Sequence, residues 1–286
     1  MTAQIITACP VPFTESGEVD ASAYTAAMEA IHPHVHGALI AGTTGEFPAL
    51  EDDERIELFR LAVQVLGPKR VVAHLGHGST RQVLRLAERT EALGITRFAL
   101  LTPYYLPTDD VGVVAFFEAL TSRYPNASIY PYLFPERTGM DIPVPVLEQV
   151  MSLPGMRGVK LSGGAAERIE SYATALRPDQ ELLSGNDATL PQVVAAGGHG
   201  VVSGVSAAFP ETFAALGDAI EAGDHAQVEA LQAVVQELVA LTGPSIPLLK
   251  TAMSARTGAP WASRMSLPAV DAATAEEIRS AVGQYR

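Results

Sequence analysis

Short apolar runs rich in β-branched residues alternate along the chain with segments in which apolar residues recur at helical spacing. The runs predict strands, and the segments predict amphipathic helices. The clearest helix starts near Asp52 and Asp53, which suit an N-cap and the positive first turn, and it ends at Gly67. From Glu211 onward the pattern is only helical. The predicted strands are Ile5–Val11, Gly37–Thr43, Arg70–Leu75, Arg97–Thr102, Ser128–Leu133, Met156–Leu161, Glu181–Ser184 and His199–Ser203.

Eight strands alternating with helices indicate the α/β class with parallel strands. Eight such units followed by extra helices are most simply a (β/α)8 TIM barrel with a C-terminal helical extension. We place the barrel, which would carry the active site, at residues 1–222 and the extension packed on it at 223–286. An open doubly wound sheet is the alternative, but no GxGxxG turn follows its first strand. In a barrel the active site lies in the loops after the strands.

Composition narrows the classes of function. The 286 residues include 19 Lys and Arg against 32 Asp and Glu, a formal net charge of −13, which disfavours binding to nucleic acids or anionic membranes. The single cysteine, Cys9, cannot form an internal disulfide. Residues 1–12 lack a basic region followed by a long apolar run, and no later stretch has the roughly 20 apolar residues of a membrane helix. We therefore expect a soluble, cytoplasmic protein.

Lys160 is the most unusual polar residue, because it lies inside a short and otherwise mostly apolar strand. Ionised lysines are rarely buried without a partner. A desolvated lysine is neutral more often and can then form a Schiff base with a ketone. Hydroxyl groups predicted at neighbouring strand ends, those of Thr43, Tyr105 and Tyr132, could relay the protons that this chemistry requires. The alternative is an ordinary lysine whose ammonium group reaches solvent at the end of the strand.

Five segments, in order and over nearly the whole chain, resemble the pyruvate-dependent aldolases and lyases. That family includes dihydrodipicolinate synthase and N-acetylneuraminate lyase. The segments are Gly42–Glu46 (GTTGE), Thr102–Tyr105 (TPYY), Tyr132–Gly139 (YLFPERTG), Gly158–Lys160 (GVK) and Leu183–Asp187 (LSGND).

The resemblance implies roles for individual residues. Lys160 would form the Schiff base with pyruvate or a similar 2-oxo acid, and Thr44 and the backbone near it would hold the carboxylate. Tyr132 would donate and accept protons through Thr43 to Tyr105, and Tyr105 could come from a neighbouring subunit. The resemblance implies no cofactor or metal, small-molecule partners and a homo-oligomer, either a dimer or a tetramer. Further substrate contacts would come from Arg137, Gly185 and Val202.

Arg137 corresponds to the position that, in the synthases, receives the carboxylate of the aldehyde. A guanidinium matches a carboxylate in a planar, bidentate way and supplies positive charge on an acidic protein. Condensation of pyruvate with aspartate semialdehyde is therefore the leading reaction. The alternative for Arg137 is a surface arginine that pairs with Glu136 or Asp141.

Several residues depart from the synthase pattern, and we expect them around the second substrate. They are Leu161 after the lysine, Leu133 and Phe134 after Tyr132, and His74 and His77 near the third strand. They make a 2-keto-3-deoxy sugar acid aldolase the runner-up. We expect the two histidines to contact the second substrate or to form a loop hydrogen bond.

Two other classes of protein remain open. His32, His34 and His36 have the spacing of a metal-binding cluster, as in metal-dependent hydrolases, but they precede the second strand and so belong to the opposite end of a barrel. The other class is a non-catalytic binder of 2-oxo acids.

Overall fold

The structure, a computed structural model, describes residues 3–285. Its strands form one closed barrel in which every strand is parallel to its neighbours and β8 pairs with β1. The predicted (β/α)8 TIM barrel is therefore confirmed, and the open sheet is wrong. The strands are β1 Gln4–Ala8, β2 Gly37–Ile40, β3 Val71–His74, β4 Arg97–Leu101, β5 Ser128–Leu133, β6 Gly158–Leu161, β7 Glu181–Ser184 and β8 Gly200–Ser203.

At least one helix separates each strand from the next, and further helices follow β8. Within the described residues, no helix is long and apolar enough to cross a membrane. The helices are α1 Ala21–Ile31, α2 Asp52–Leu66, α3 Thr80–Glu91, α4 Asp110–Arg123, α5 Pro135–Thr138, α6 Val144–Met151, α7 Gly164–Glu167, α8 Ile169–Ala173, α9 Leu190–Ala195, α10 Pro210–Ala222, α11 His225–Thr242, α12 Ile246–Thr257 and α13 Ala272–Gln284.

Alternation along each strand separates the barrel interior from the layer beneath the helices. In β5, Tyr130 packs inside the barrel, whereas Ile129 and Leu133 belong to the larger core between strands and helices. The register of β5 and β6 pairs Tyr132 with Lys160. This pairing sets two polar side chains next to each other at the carboxyl end of the barrel.

The predicted strands are correct in number and order, but some are too long. β2 stops at Ile40 because Ala41 has φ 52°, a left-handed conformation that ends an extended strand. β1 stops at Ala8 rather than Val11. β6 starts at Gly158, because Met156 makes only an isolated bridge with Ile129.

The start of α2 also differs by one residue from the expectation. The N-cap is Glu51, whose backbone N–H donates to the Glu54 carboxylate over 2.9 Å, while Asp52 and Asp53 lie in the first turn. Acidic side chains there stabilise the helix through its dipole.

Two arginines bind the helical extension to the barrel. Arg256 of α12 pairs with Glu211 of α10. Arg264, which follows α12, donates to the carboxylate of Glu54 in α2 and to the backbone oxygen of Ala49. The domain division at residues 222 and 223 falls at the turn between α10 and α11, and it stays a prediction.

The ion pair between Arg264 and Glu54 should make stability depend on pH. The hydrogen bond from Arg264 holds the pKa of the Glu54 carboxyl below its ordinary value. The ion pair therefore contributes to the free energy of unfolding above the unfolded-state pKa of about 4.3. This contribution is lost as the pH falls through the lower folded-state pKa. We expect Glu54→Gln to cost roughly 1–3 kcal/mol at pH 7 and to weaken the loss of stability below pH 5, as measured by urea denaturation.

Glu57→Gln provides the matched control, because Glu57 lies on the same helix and pairs with Arg60 at the surface. An exposed pair of this kind contributes only about 0.5 kcal/mol. Equal losses in the two variants at pH 7 would contradict the assignment.

Candidate active site

A cavity of about 440 Å³ opens at the carboxyl end of the barrel, where the loops after the strands meet. Most of the predicted site residues line this one cavity. Its wall includes Thr43, Thr44, Tyr132, Phe134, Arg137, Lys160, Ser162, Gly185, Asp187 and Val202.

Lys160 points into the barrel and not toward the helices. Its side chain is only 6% exposed, and Nζ lies 3.8 Å from the centre of the Tyr132 ring. Within residues 3–285, no carboxylate lies within 4.0 Å of Nζ, so the amine is in no ion pair. The alternative of a lysine head exposed at the strand end is therefore wrong. A buried amine without an ion pair is available to react with a molecule in the cavity.

Tyr132 and Thr43 supply hydroxyl groups next to this amine. The Tyr132 hydroxyl and Thr43 Oγ1 are 3.4 Å apart and share a hydrogen bond. Thr43 lies in a tight loop after β2, where the N–H of Gly45 donates to Gly42 O over 3.1 Å and that of Phe47 to the same oxygen over 3.2 Å. Thr44 follows Thr43 in this loop and lines the cavity half-buried. A proton can therefore pass between the two hydroxyl groups at the cavity wall.

Tyr105 does not reach the cavity of its own chain. Its side chain is 91% exposed, and its backbone has the left-handed φ of 74°. The neighbouring Tyr104 packs instead against Phe47, with ring centres 5.9 Å apart. Two of the three hydroxyl groups expected around Lys160 are therefore present, and the third would have to come from another subunit.

Arg137 stands at the wall of the cavity without a carboxylate partner in the described part of the chain. Both proposed partners have other contacts, since the Glu136 carboxylate accepts from the N–H of Gly164 over 2.8 Å, and Asp141 pairs with Arg168. That bond from Gly164 lowers the pKa of the Glu136 carboxyl. The guanidinium of Arg137 lies 5.7 Å from the centre of the Phe134 ring, and it is free to bind an anion.

Gly185 and Val202 shape the cavity rather than react in it. A Cβ added at Gly185 would lie 2.1 Å from Ser162 Oγ, so a side chain there would displace the serine. Val202 is 5% exposed and belongs to the apolar cluster inside the barrel. Both residues lie in the cavity wall as expected for substrate contacts.

The expectation that the departures from the synthase pattern surround the second substrate is mostly wrong. Leu161 and Leu133 alternate away from the cavity into the core beneath the helices. Of these departures only Phe134 lines the cavity.

His74 and His77 make loop hydrogen bonds, which is the second of the two roles considered. His74 is buried beside Phe47, and its Nδ1 lies 3.0 Å from Ala41 O. Burial lowers the pKa of His74 well below its ordinary value. His77 Nε2 lies 2.7 Å from Asp52 Oδ1, in a surface groove outside the cavity.

Arg55 binds the backbone at the end of β3 and in the loop that follows it. Its guanidinium is completely buried and donates to the backbone oxygens of His74 and Gly76, and burial lowers its pKa to about 10.

Asp187 is a further residue to which sequence reasoning assigned no role, although it ends one of the matching segments. It lines the cavity at 7% exposure and accepts from the N–H of Val205 over 3.2 Å, and burial raises the pKa of its carboxyl.

The histidines before β2 do not come together as a metal site. His36 Nδ1 accepts from the N–H of Ile5 over 3.1 Å, and His34 lies 3.8 Å from a Glu211 carboxylate oxygen. Over residues 3–285, no three His, Cys, Asp or Glu side chains are grouped as metal ligands.

Comparison with known proteins places this geometry in a family. Residues 1–284 match the model of the dihydrodipicolinate synthetase family. The 4-hydroxy-tetrahydrodipicolinate synthase of Cyanothece sp. is 30% identical over 97% of this chain and 96% of its own length. The enzyme of that name from Xanthomonas campestris pv. campestris is 32% identical over 94% and 90% of the two chains.

Solved structures agree with this match. A 4-hydroxy-tetrahydrodipicolinate synthase from Methylacidiphilum fumariolicum SolV superimposes with a TM-score of 0.88 at 27% identity, covering 100% of this chain and 96% of that one. A Ruminococcus gnavus sialic acid aldolase shares the fold with a TM-score of 0.90 at 19% identity, covering 99% and 96% of the chains. The chain belongs to the dihydrodipicolinate synthetase family.

Proposed function

We propose that this protein is a class I carbon–carbon lyase or synthase in which Lys160 forms a Schiff base with pyruvate. The observation that carries the proposal is the buried Lys160 amine, which forms no ion pair within residues 3–285 and lies 3.8 Å from the centre of the Tyr132 ring in an open cavity. A nucleophilic amine with hydroxyl groups beside it is the arrangement that imine chemistry requires.

The reaction begins when the neutral Nζ of Lys160 attacks C2 of pyruvate and forms a carbinolamine. The Tyr132 hydroxyl, in contact with Thr43, passes a proton to the carbinolamine oxygen, which leaves as water. The resulting iminium is an electron sink, so C3 loses a proton to the Tyr132 phenolate and an enamine forms. C3 of the enamine then adds to the aldehyde carbon, and the aldehyde oxygen takes a proton from the Tyr132 hydroxyl. Water finally hydrolyses the new imine and frees Lys160 and an acyclic 2-oxo acid. With aspartate semialdehyde, the amino group of that product condenses with its own keto group, loses water and closes the ring.

Two features orient the two substrates. The loop of Thr43 and Thr44 lies beside Lys160 and would hold the pyruvate carboxylate. Arg137 would hold an acidic aldehyde, because its guanidinium has no carboxylate partner among the described residues. The relatives from Cyanothece and Xanthomonas are named 4-hydroxy-tetrahydrodipicolinate synthase. We extend that activity to this chain, with aspartate semialdehyde as the aldehyde.

The competing functions predict other behaviour. A 2-keto-3-deoxy sugar acid aldolase is the second candidate, supported by Phe134 at the cavity wall and by the polar side chains of Ser162 and Asn186 beside it. A non-catalytic binder would form the imine without turning over any aldehyde. A metal-dependent hydrolase would lose its activity when treated with a chelator.

We also propose that the protein is a homo-oligomer and that it is located in the cytoplasm. The oligomer is supported by the exposed side chains of Tyr105, Leu106 and Val111, which are 91%, 73% and 76% exposed. Apolar side chains grouped on a surface are typical of contacts between subunits. A subunit bound there could deliver Tyr105 to its neighbour's cavity.

Borohydride trapping tests the Schiff base. The chain contains three lysines, Lys69, Lys160 and Lys250, so the modified peptide identifies the amine. Reduction in the presence of pyruvate should add the mass of a reduced pyruvyl group at Lys160, as measured by peptide mass spectrometry. Lys160→Ala should remain unlabelled, whereas Lys69→Ala, which removes an exposed amine, should label like the wild type. Label on another lysine would contradict the proposal.

Arg137→Ala tests the class of aldehyde. Hydrogen bonds to charged groups are worth about 1.5–3 kcal/mol, so kcat/KM for an acidic aldehyde should fall roughly 10-fold to 100-fold. A neutral aldehyde assayed with the same enzyme should be nearly unaffected. The control is Arg168→Ala, which removes a guanidinium already paired with Asp141. An equal loss for acidic and neutral aldehydes would remove the case for a synthase.

A further inference from the structure

The Glu46 carboxylate, at the end of the loop that carries Thr43 and Thr44, is fully buried and fully bonded. It accepts from Nζ of Lys250, and its Oε2 also accepts from the backbone N–H groups of Arg264 over 3.0 Å and Met265 over 2.7 Å. These donors come from α12 and from the segment that follows it. The helical extension therefore binds one residue of the active-site loop.

Lys250 is enclosed as completely as its partner. Its side chain is 2% exposed, Nζ donates to Ala262 O over 2.7 Å, and Nζ lies 4.4 Å from the centre of the Phe13 ring. Burial lowers the pKa of Lys250, and the Glu46 carboxylate opposes that shift. The amine is thus committed to holding other groups in place, in contrast to Lys160.

The buried pair is connected to Tyr132 through a short run of backbone. Glu46 has the left-handed φ of 54°, and its N–H donates to Thr43 O over 3.0 Å. The Thr43 hydroxyl then meets the Tyr132 hydroxyl at 3.4 Å, near the long limit of a hydrogen bond. A shift of the loop by a few tenths of an ångström would break this contact.

We propose that Glu46 and Lys250 are positioning residues for catalysis. By anchoring the loop to α12, they hold Thr43 against Tyr132 and keep Thr44 at the place of the pyruvate carboxylate. The inference rests on the proposed function, and it makes the helical extension part of the catalytic apparatus rather than packing alone.

A second ion pair on the same helix, between a buried arginine and a half-buried carboxylate, provides the control. Arg256 of α12 is 8% exposed, and it donates to the Glu211 carboxylate and to Ala208 O. This pair joins α12 to α10, and its hydrogen bonds do not reach the loop after β2. Both pairs tether α12, but only one of them reaches the site.

The test compares Glu46→Gln and Lys250→Met with Glu211→Gln and Arg256→Met. Two rates are measured with pyruvate alone, so that no aldehyde has to be known. The first is the rate of borohydride-trappable imine formation, and the second is the exchange of the pyruvate methyl protons in D2O, followed by NMR. Urea denaturation of each variant measures its stability under the same conditions.

We expect all four variants to be less stable than the wild type, because three of them leave a buried charge without its partner and Arg256→Met leaves the half-buried carboxylate of Glu211 unpaired. The Glu46 and Lys250 variants should also lose roughly 10-fold to 100-fold in both rates, since misplacing a reacting group by about 1 Å can cost 10²-fold. The Glu211 and Arg256 variants should stay within about twofold of the wild type. A slowdown of equal size in all four would contradict the inference.

The double variant Glu46→Gln/Lys250→Met separates positioning from stability. Both buried charges are then removed together, so stability should recover relative to either single variant. The rates should stay low, because the carboxylate that binds α12 to the loop is absent. Recovery of both stability and rate would overturn the inference. Wild-type protein that traps no pyruvate would contradict the proposed function itself, and the inference with it.

Discussion

The register between β5 and β6 sets Tyr132 directly beside Lys160, and the chemistry of the cavity depends on this pairing. Alternation along the two strands turns both side chains inward, while Leu133 and Leu161 pack outward beneath the helices. A register shift of one residue would reverse these directions and move the amine out of the cavity. The closed barrel makes such a shift costly, because every strand is paired on both edges.

Two lysines in this fold show how surroundings decide the use of an amine. Lys250 is buried with a carboxylate, a carbonyl oxygen and an aromatic face around it. Lys160 is buried nearly as deeply, but it forms no ion pair among the described residues, and its Nζ lies over the Tyr132 ring with an open cavity in front of it. Removing one partner of a buried ion pair typically costs about 3–5 kcal/mol, so the Lys250 amine is not readily released from Glu46.

The local charge of Arg137 at the cavity wall is opposite in sign to the net charge of the molecule. The chain has a net charge of −13, yet the cavity wall carries the guanidinium of Arg137 with no carboxylate bound to it among the described residues. Glu136 and Asp141, which could have neutralised it, are held by Gly164 and Arg168. This separation gives an anionic substrate a local attraction that the overall field would oppose.

The sequence predicted the barrel because its strands are short, apolar and regularly separated by helical patterns. It also predicted that Lys160 and Tyr132 lie at the active-site end of the barrel, since polar residues at the ends of buried strands are conspicuous. The left-handed turn at Ala41 has no local signal, because alanine rarely adopts it.

Other features depend on tertiary structure that no local pattern reports. The bond between Glu46 and Lys250 joins positions separated by 204 residues. Leu161 was expected near the second substrate because it departs from the synthase pattern next to Lys160, but adjacent strand residues face opposite sides. The exposure of Tyr105 likewise depends on how the loop after β4 folds.

A crystal structure of the protein soaked with pyruvate would show the Schiff base itself. We expect continuous electron density from Lys160 Nζ to C2 of pyruvate, with the carboxylate on the loop of Thr43 and Thr44 and the Tyr132 hydroxyl within hydrogen-bond distance of the former carbonyl position. Pyruvate bound without a covalent link, or linked to a different amine, would contradict this expectation.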